Sequence, residues 1–234
     1  MMIMRSKLML AVGAALLGIA SAANAAFVPW TTPAGTVPGL FTYSGGGSQD
    51  GLFGNPIING SSFTFFPQNF KALTSGANAG HADSRLSFQI DVAPGAIDVL
   101  GITVNELGDY AINNGGSVQA FASLFVTNLQ IPIDPFGVPA NPQMGSQTFS
   151  RNLAAPAQET GQWTLQVVRT LPNGLRSVRI DLDNILDASV PSAASTALIE
   201  KKIAGITVTI NVPEPTSIGA ALVGMGALVI RRRK

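Results

Sequence analysis

The chain has 234 residues, 46% hydrophobic and only 12% charged, with 25 glycines, 15 prolines and no cysteine. Without cysteine, disulfide stapling, thiolate catalysis and cysteine-ligated metals are excluded, so stability has to come from a sizeable apolar core. The formal charge of +1 conceals its distribution: six of the 14 basic residues and one of the 13 acidic ones lie in the terminal segments, leaving eight cations against twelve acids between them, about −4, which disfavours nucleic acid as a partner.

At the N-terminus Arg5 and Lys7 precede an apolar run, Leu8–Ala20, and then Ser21-Ala22-Ala23-Asn24-Ala25-Ala26. A charged n-region, an apolar h-region and small residues at Ala23 and Ala25 form a secretory signal peptide over 1–25, cleaved after Ala25, with Ala26 as the alternative. Residues 26–211 have the length of one domain. Phe27–Gly39, rich in Pro, Thr and Gly, is a leader or a first edge strand, and Leu40–Tyr43 is a short strand. Ser44–Gly51 reads as a flexible glycine loop; it lacks the Lys-Ser/Thr of a phosphate loop.

Gly60–Pro67 is an aromatic strand closed by proline, and Thr74–Ser84, polar and small, is a loop. Leu86, Phe88, Ile90 and Val92 alternate with polar residues, the signature of a half-buried antiparallel strand. Ile97–Val104 gives another strand, after which Glu106–Tyr110 turns toward Asn113-Asn114-Gly115-Gly116. Val118–Leu129 is apolar on both faces and suits a central strand. Four prolines within Ile131–Gln143 make a long crossover loop.

Gln162–Thr170 and Leu175–Leu182 read as a hairpin turning at Pro172-Asn173-Gly174, with Trp163, Leu165, Val167, Val178, Ile180 and Leu182 inward and Arg176 and Arg179 solvated. Ser192–Lys202 is a short helix, or Ala197–Ile203 a strand; Gly205–Val212 alternates again. Eight or more such strands at turn-marked spacing predict an all-β fold, a single antiparallel β-sandwich of jelly-roll-like form.

Candidate chemistry is sparse. His81 with Asp83 resembles part of a Ser-His-Asp set, but no Gly-x-Ser-x-Gly elbow accompanies it, so an exposed loop histidine is the reading adopted. One histidine without cysteine cannot hold zinc, copper or iron. Asp181 and Asp183 share one strand face and are the calcium candidates, although the segment fails as an EF-hand because Leu186 stands where glycine is needed. Glu106 and Asp109 are a carboxylate pair of the sort glycoside hydrolysis uses, one of many that twelve acids produce by chance. Trp30 and Tyr43, with loop-like flanks, are candidates for stacking on a sugar. No catalytic residue and no cofactor are expected.

The chain closes with Val212-Pro213-Glu214-Pro215-Thr216-Ser217, an uncharged run Ile218–Ile230, and Arg231-Arg232-Arg233-Lys234. Two prolines hold the first part extended with Glu214 between them, the middle is a short transmembrane helix over 216–230, and the cations satisfy the positive-inside rule. Segment 212–234 resembles the PEP-CTERM sorting signal of Gram-negative envelope proteins, with its tripeptide at Pro213-Glu214-Pro215. That resemblance implies recognition by an exosortase, a membrane-embedded cysteine transpeptidase-like enzyme that processes the tail. The helix, about 15 residues and roughly 22 Å long, is short for a hydrocarbon core of ~30 Å, which suits a segment held briefly and then removed.

The expectation is a non-catalytic exported protein, paused in the inner membrane and then released to the cell surface or exopolysaccharide matrix. The alternative is a carbohydrate-binding or adhesion module of that matrix, with or without calcium.

Overall fold

The computed structural model describes residues 26–76, 79–96, 98–130 and 143–212. The expected signal peptide at 1–25 and the expected sorting tail at 213–234 lie outside them, as does 131–142. Thirteen strands follow one another: β1 Phe27–Pro29, β2 Gly35–Val37, β3 Phe41–Gln49, β4 Ile57–Asn59, β5 Ser62–Phe65, β6 Lys71–Ser75, β7 Gly80–Val92, β8 Val99–Asn113, β9 Gly116–Asn128, β10 Gln143–Leu153, β11 Glu159–Leu175, β12 Ser177–Ser189 and β13 Thr196–Asn211. The described residues contain no helix.

The strands form two antiparallel sheets packed face to face. In the first, the order is β1-β3-β7-β12-β9-β10 with β2 also on β3; in the second it is β11-β8-β13-β5-β4 with β6 also on β13. From β7 onward nearly every connection changes sheet, the jelly-roll-like habit, with β9 to β10 the exception. Alternation decides which side chains meet between the sheets. Leu86, Phe88 and Ile90 of β7, the even-numbered residues from Val118 to Val126 of β9 and those from Val178 to Ala188 of β12 are buried against Ile102, Val104, Trp163, Leu165, Ile206, Val208 and Ile210. One end of the core is aromatic. Trp30 lies within 5.4–6.4 Å, ring centre to ring centre, of Tyr43, Phe63, Phe65 and Phe88. Each such ring contributes on the order of 2–3 kcal/mol relative to an exposed one.

Several expectations are corrected. Ser44–Gln49 is strand, not loop: β3 runs on through the glycines with its register shifting between Ser44 and Gly47. These glycines give room, because a Cβ on Gly46 would lie 2.1 Å from Cε3 of Trp30 and one on Gly47 2.4 Å from Cζ of Phe27. Of Thr74–Ser84, Thr74 and Ser75 end β6 and Gly80–Ser84 begin β7; polarity misled because this part of β7 keeps its outer side chains in solvent. Glu106–Tyr110 does not turn but continues β8, and the reversal comes at Asn114 and Gly115, both at positive φ. The alternatives for 192–202 resolve to strand, β13 from Thr196. The crossover loop expected over Ile131–Gln143 is corrected too, because the strands on either side of it, β9 and β10, are antiparallel neighbours in one sheet and Gln143 already pairs with Val126.

The hairpin of 162–182 is not one. β11 pairs with β8 in the second sheet, whereas β12 pairs with β7 and β9 in the first. The inward residues of both strands are as expected, but they face one another across the core instead of lying in one sheet. The chain crosses between the sheets at Arg176, whose guanidinium donates to the Ala93 and Ala96 carbonyls and, at 2.7 Å, to Asp98. β10, an edge strand with mostly exposed side chains, has no apolar alternation to announce it.

Candidate functional site

The outer face of the first sheet carries the densest polar array. On β7 and β12 the outward residues stand opposite one another as His81 and Asp187, Arg85 and Asp183, Ser87 and Asp181, Gln89 and Arg179, and Asp91 and Ser177. They bond across and along the strands. His81 Nδ1 lies 2.7 Å from Asp187 Oδ1 and Nε2 3.1 Å from Asp83 Oδ1. Arg85 grips Asp183 through Nε and, at 2.7 Å, Nη2. Asp181 accepts from Ser87 Oγ at 2.7 Å and Arg179 Nε at 2.9 Å. Asp91 accepts from Ser177 Oγ at 2.5 Å and Gln89 Nε2 at 2.7 Å. Beside this array, β9 places half-buried Phe121 opposite Ile185 and half-buried Phe125 opposite Asp181, and exposed Met144 of β10 stands next to Phe125. The result is a sheet face on which Phe121, Phe125 and Met144 are interspersed with hydrogen-bonding side chains.

The hydrogen bond to Asp187 holds the His81 imidazole above its ordinary pKa; partial desolvation opposes it, while the charges of Asp187 and Asp83 reinforce it. With a carboxylate on each ring nitrogen, the doubly protonated imidazolium satisfies both bonds and leaves no nitrogen to deprotonate a serine. His81 belongs to a strand rather than a loop, and both its ring nitrogens are taken up by carboxylates of the array.

The other sequence candidates separate. Asp181 and Asp183 do share the outer face of β12, yet each is bonded to an arginine. Among the described residues no group of three or more His, Asp or Glu is arranged to hold a metal ion. Asp83 and Asp187 approach His81 from opposite sides of its ring and do not converge on a common point. Glu106 and Asp109 point to opposite faces of β8: Glu106 is in the core against Lys201, and Asp109 is outside against Lys202 at 3.1 Å. They cannot flank one glycosidic bond.

Trp30 and Tyr43 are 4% and 8% exposed, so their ring faces serve the core and not a sugar. Both line a cleft of about 300 Å³ with Thr31, Thr32, Asn55, Pro56 and Ile58, in which Asn55 Oδ1 accepts from Thr31 N at 2.6 Å. Ala26 is exposed, its carbonyl bonded by Asp50 N. Val212 is half-buried, its N donating to the Ile210 carbonyl at 3.0 Å. Ala23, Ala25, Pro213, Glu214, Pro215 and Arg231–Lys234 lie outside the described residues.

No family model and no curated relative matches the chain. Solved structures that overlap with it include a Family 16 Carbohydrate Binding Module-2, at 11% identity over 80% of this chain and 90% of that one, with a TM-score of 0.23. An aminopeptidase from a marine sediment archaeon, Thaumarchaeota archaeon, overlaps at 10% identity over 56% of this chain, with a TM-score of 0.30. Eiger TNF from S. frugiperda overlaps at 11% identity over 56%, with a TM-score of 0.23. The chain spans 26% of the aminopeptidase, although it spans 90% and 91% of the other two. Overlaps this slight assign no ligand to the chain.

Two arrangements escaped the sequence reading. At the edge where β10 and β11 close the sandwich, Arg151 of β10 donates to Glu159 of β11 through Nε at 2.8 Å and Nη2 at 2.5 Å, and Tyr110 of β8 donates its hydroxyl to the same carboxylate. Arg151 first, then Tyr110, keeps the Glu159 carboxyl below its usual range, and the bond to Glu159 raises the Tyr110 phenol. The second is the buried pair of Lys201 and Glu106. Lys201 falls in phase with buried Ala197 and Ile199, which was the available signal.

Proposed function

We propose that this is a non-catalytic exported β-sandwich protein, handled through its tail by an exosortase-type enzyme and delivered to the cell surface or exopolysaccharide matrix. One observation carries the reading: Pro213-Glu214-Pro215, the apolar run 216–230 and the cations Arg231–Lys234 follow in that order directly beyond β13, which ends at Asn211. Two prolines in the tripeptide disfavour its continuing β13, and an apolar run behind it would hold the substrate in the membrane within reach of an enzyme there. Exosortase and the inner membrane are the partners this assigns. The test is intact mass and C-terminal sequencing of protein from its host, with and without the exosortase. An enzyme-dependent C-terminus near Pro213–Pro215 supports the proposal; an identical C-terminus at Lys234 in both strains overturns it.

A second reading, a carbohydrate-binding or adhesion role, is favoured by the outer face where Phe121, Phe125 and Met144 adjoin the polar array. A sugar offers apolar C–H faces and a rim of hydroxyls, which such a mixture of side chains suits. Retardation by exopolysaccharide in affinity electrophoresis, weakened by Phe125→Ala, is the expected result. Equal mobility with and without polysaccharide would exclude it.

A further inference from the structure

Glu106 of β8 and Lys201 of β13 are turned into the core, their side chains 0% and 1% exposed. Lys201 Nζ lies 2.6 Å from Glu106 Oε2. The rings of Phe70 and Trp163 enclose Nζ, with centroids 5.3 and 5.0 Å away. Glu106 Oε1 has no hydrogen-bond partner among the described residues. Trp163 is fixed as a wall of this chamber: its Nε1 donates to the Glu200 carbonyl at 3.1 Å, and its indole lies over Gly108, where a Cβ would come within 2.4 Å of Nε1.

As charges, the two groups are poorly provided for. Neither touches solvent, one carboxylate oxygen is unbonded, and desolvation of a buried pair commonly costs more than its attraction returns. Burial pulls the Lys201 ammonium below its ordinary pKa, although Glu106 opposes this. The 2.6 Å contact gives a proton on Nζ a direct path to Oε2. A desolvated neutral lysine is a nucleophile, and groups held in this way react with effective molarities on the order of 10⁵ M or more.

We propose that Lys201 and Glu106 condense into an intramolecular amide. After the proton transfer, the Nζ lone pair attacks Cδ, the bond from Cδ to its hydroxyl oxygen breaks, and that hydroxyl leaves with a proton from nitrogen as water. No oxidant, reductant or metal is consumed. The product is neutral, so two charges leave the core, and the aromatic walls keep out the water that would reverse the step. In a chain without cysteine, the bond ties β8 to β13 across 95 residues.

The proposal is tested by tryptic mapping of the full chain isolated from its host. Because trypsin does not cut after an acylated lysine, the linear peptide Ile180–Lys201 should be missing. In its place comes a branched species joining Ile180–Lys202 to Leu86–Arg151, lighter by one water than the two together. Lys201→Arg, which keeps the cation, should abolish the branch. Glu106→Gln should give the same branched mass, with ammonia lost instead of water. Recovery of Ile180–Lys201 and Leu86–Arg151 as unmodified linear peptides from wild-type protein overturns the proposal.

Discussion

Ser117 of β9 and Ser189 of β12 are direct cross-strand partners whose hydroxyl oxygens lie 2.7 Å apart on the exposed face, 72 residues apart in sequence. Replacing both by cysteine should yield a disulfide with little movement, because direct partners have Cα and Cβ separations within the range a disulfide needs. Closing a loop of this length removes chain entropy worth about 4 kcal/mol from the unfolded state, an upper figure that engineered bonds commonly undershoot. In a domain of this size each kcal/mol moves Tm by about 2–4 °C, so a rise of roughly 5 °C or more that disappears with reductant is expected. The assay is thiol titration, then thermal melting with and without reductant, on a background free of native cysteine. Two thiols still titratable after oxidation would refute the register of β9 against β12, and with it the order of the first sheet.

The single histidine supplies a direct pH test. The His81 resonance should titrate above free imidazole and move down in Asp187→Asn; a wild-type midpoint at or below free imidazole would contradict the Asp187 bond. Since the folded pKa is the higher one, the stabilisation is complete below the ordinary imidazole value and fades as pH rises through the raised one. The Tm gap to Asp187→Asn should narrow on that alkaline side. Glu159 has the opposite sign: its depressed pKa gives stability above the ordinary carboxylate value, lost as pH falls through the folded one. Melting of Glu159→Gln should therefore differ from wild type at neutral pH and converge with it in acid. Gly46→Ala drives a methyl into Trp30 and should cost about 2 kcal/mol, roughly 4–8 °C in Tm. An unchanged Tm would mean that the indole does not lie on that glycine.

Period-two alternation made the inward faces legible. Leu86, Phe88 and Ile90, Val178, Ile180 and Leu182, and Ile206, Val208 and Ile210 are all buried as the pattern requires. Alternation tells a strand which way to face but not which strand to lie beside. This is why a turn-like Pro172-Asn173-Gly174 suggested a hairpin where the chain instead changes sheet. Segments with too few apolar residues to alternate, such as β10 and the first residues of β7, carry no periodic signal. The array on the outer sheet is a property of register: Arg85 and Asp183 are 98 residues apart and meet because β7 lies antiparallel to β12. Glu106 and Lys201 were hidden for another reason, since charged residues are read as solvated unless their phase with buried neighbours is followed.

β13 has a further consequence. It is bonded to β5 and β6 along one side and to β8 along the other, so among the described residues β4, β5 and β6 join the second sheet through it alone. During synthesis the second sheet therefore stays split in two until residues 196–211 have emerged, and closure is a late event built on contacts distant in sequence. On the export proposed above, a chain that finishes folding so late would still be loose enough to thread a translocation channel. The strand that completes it is also the one next to Pro213. Val212 alone separates the last residue of β13, Asn211, from Pro213, so the motif on which the sorting proposal rests begins where the strand that completes the sheet ends.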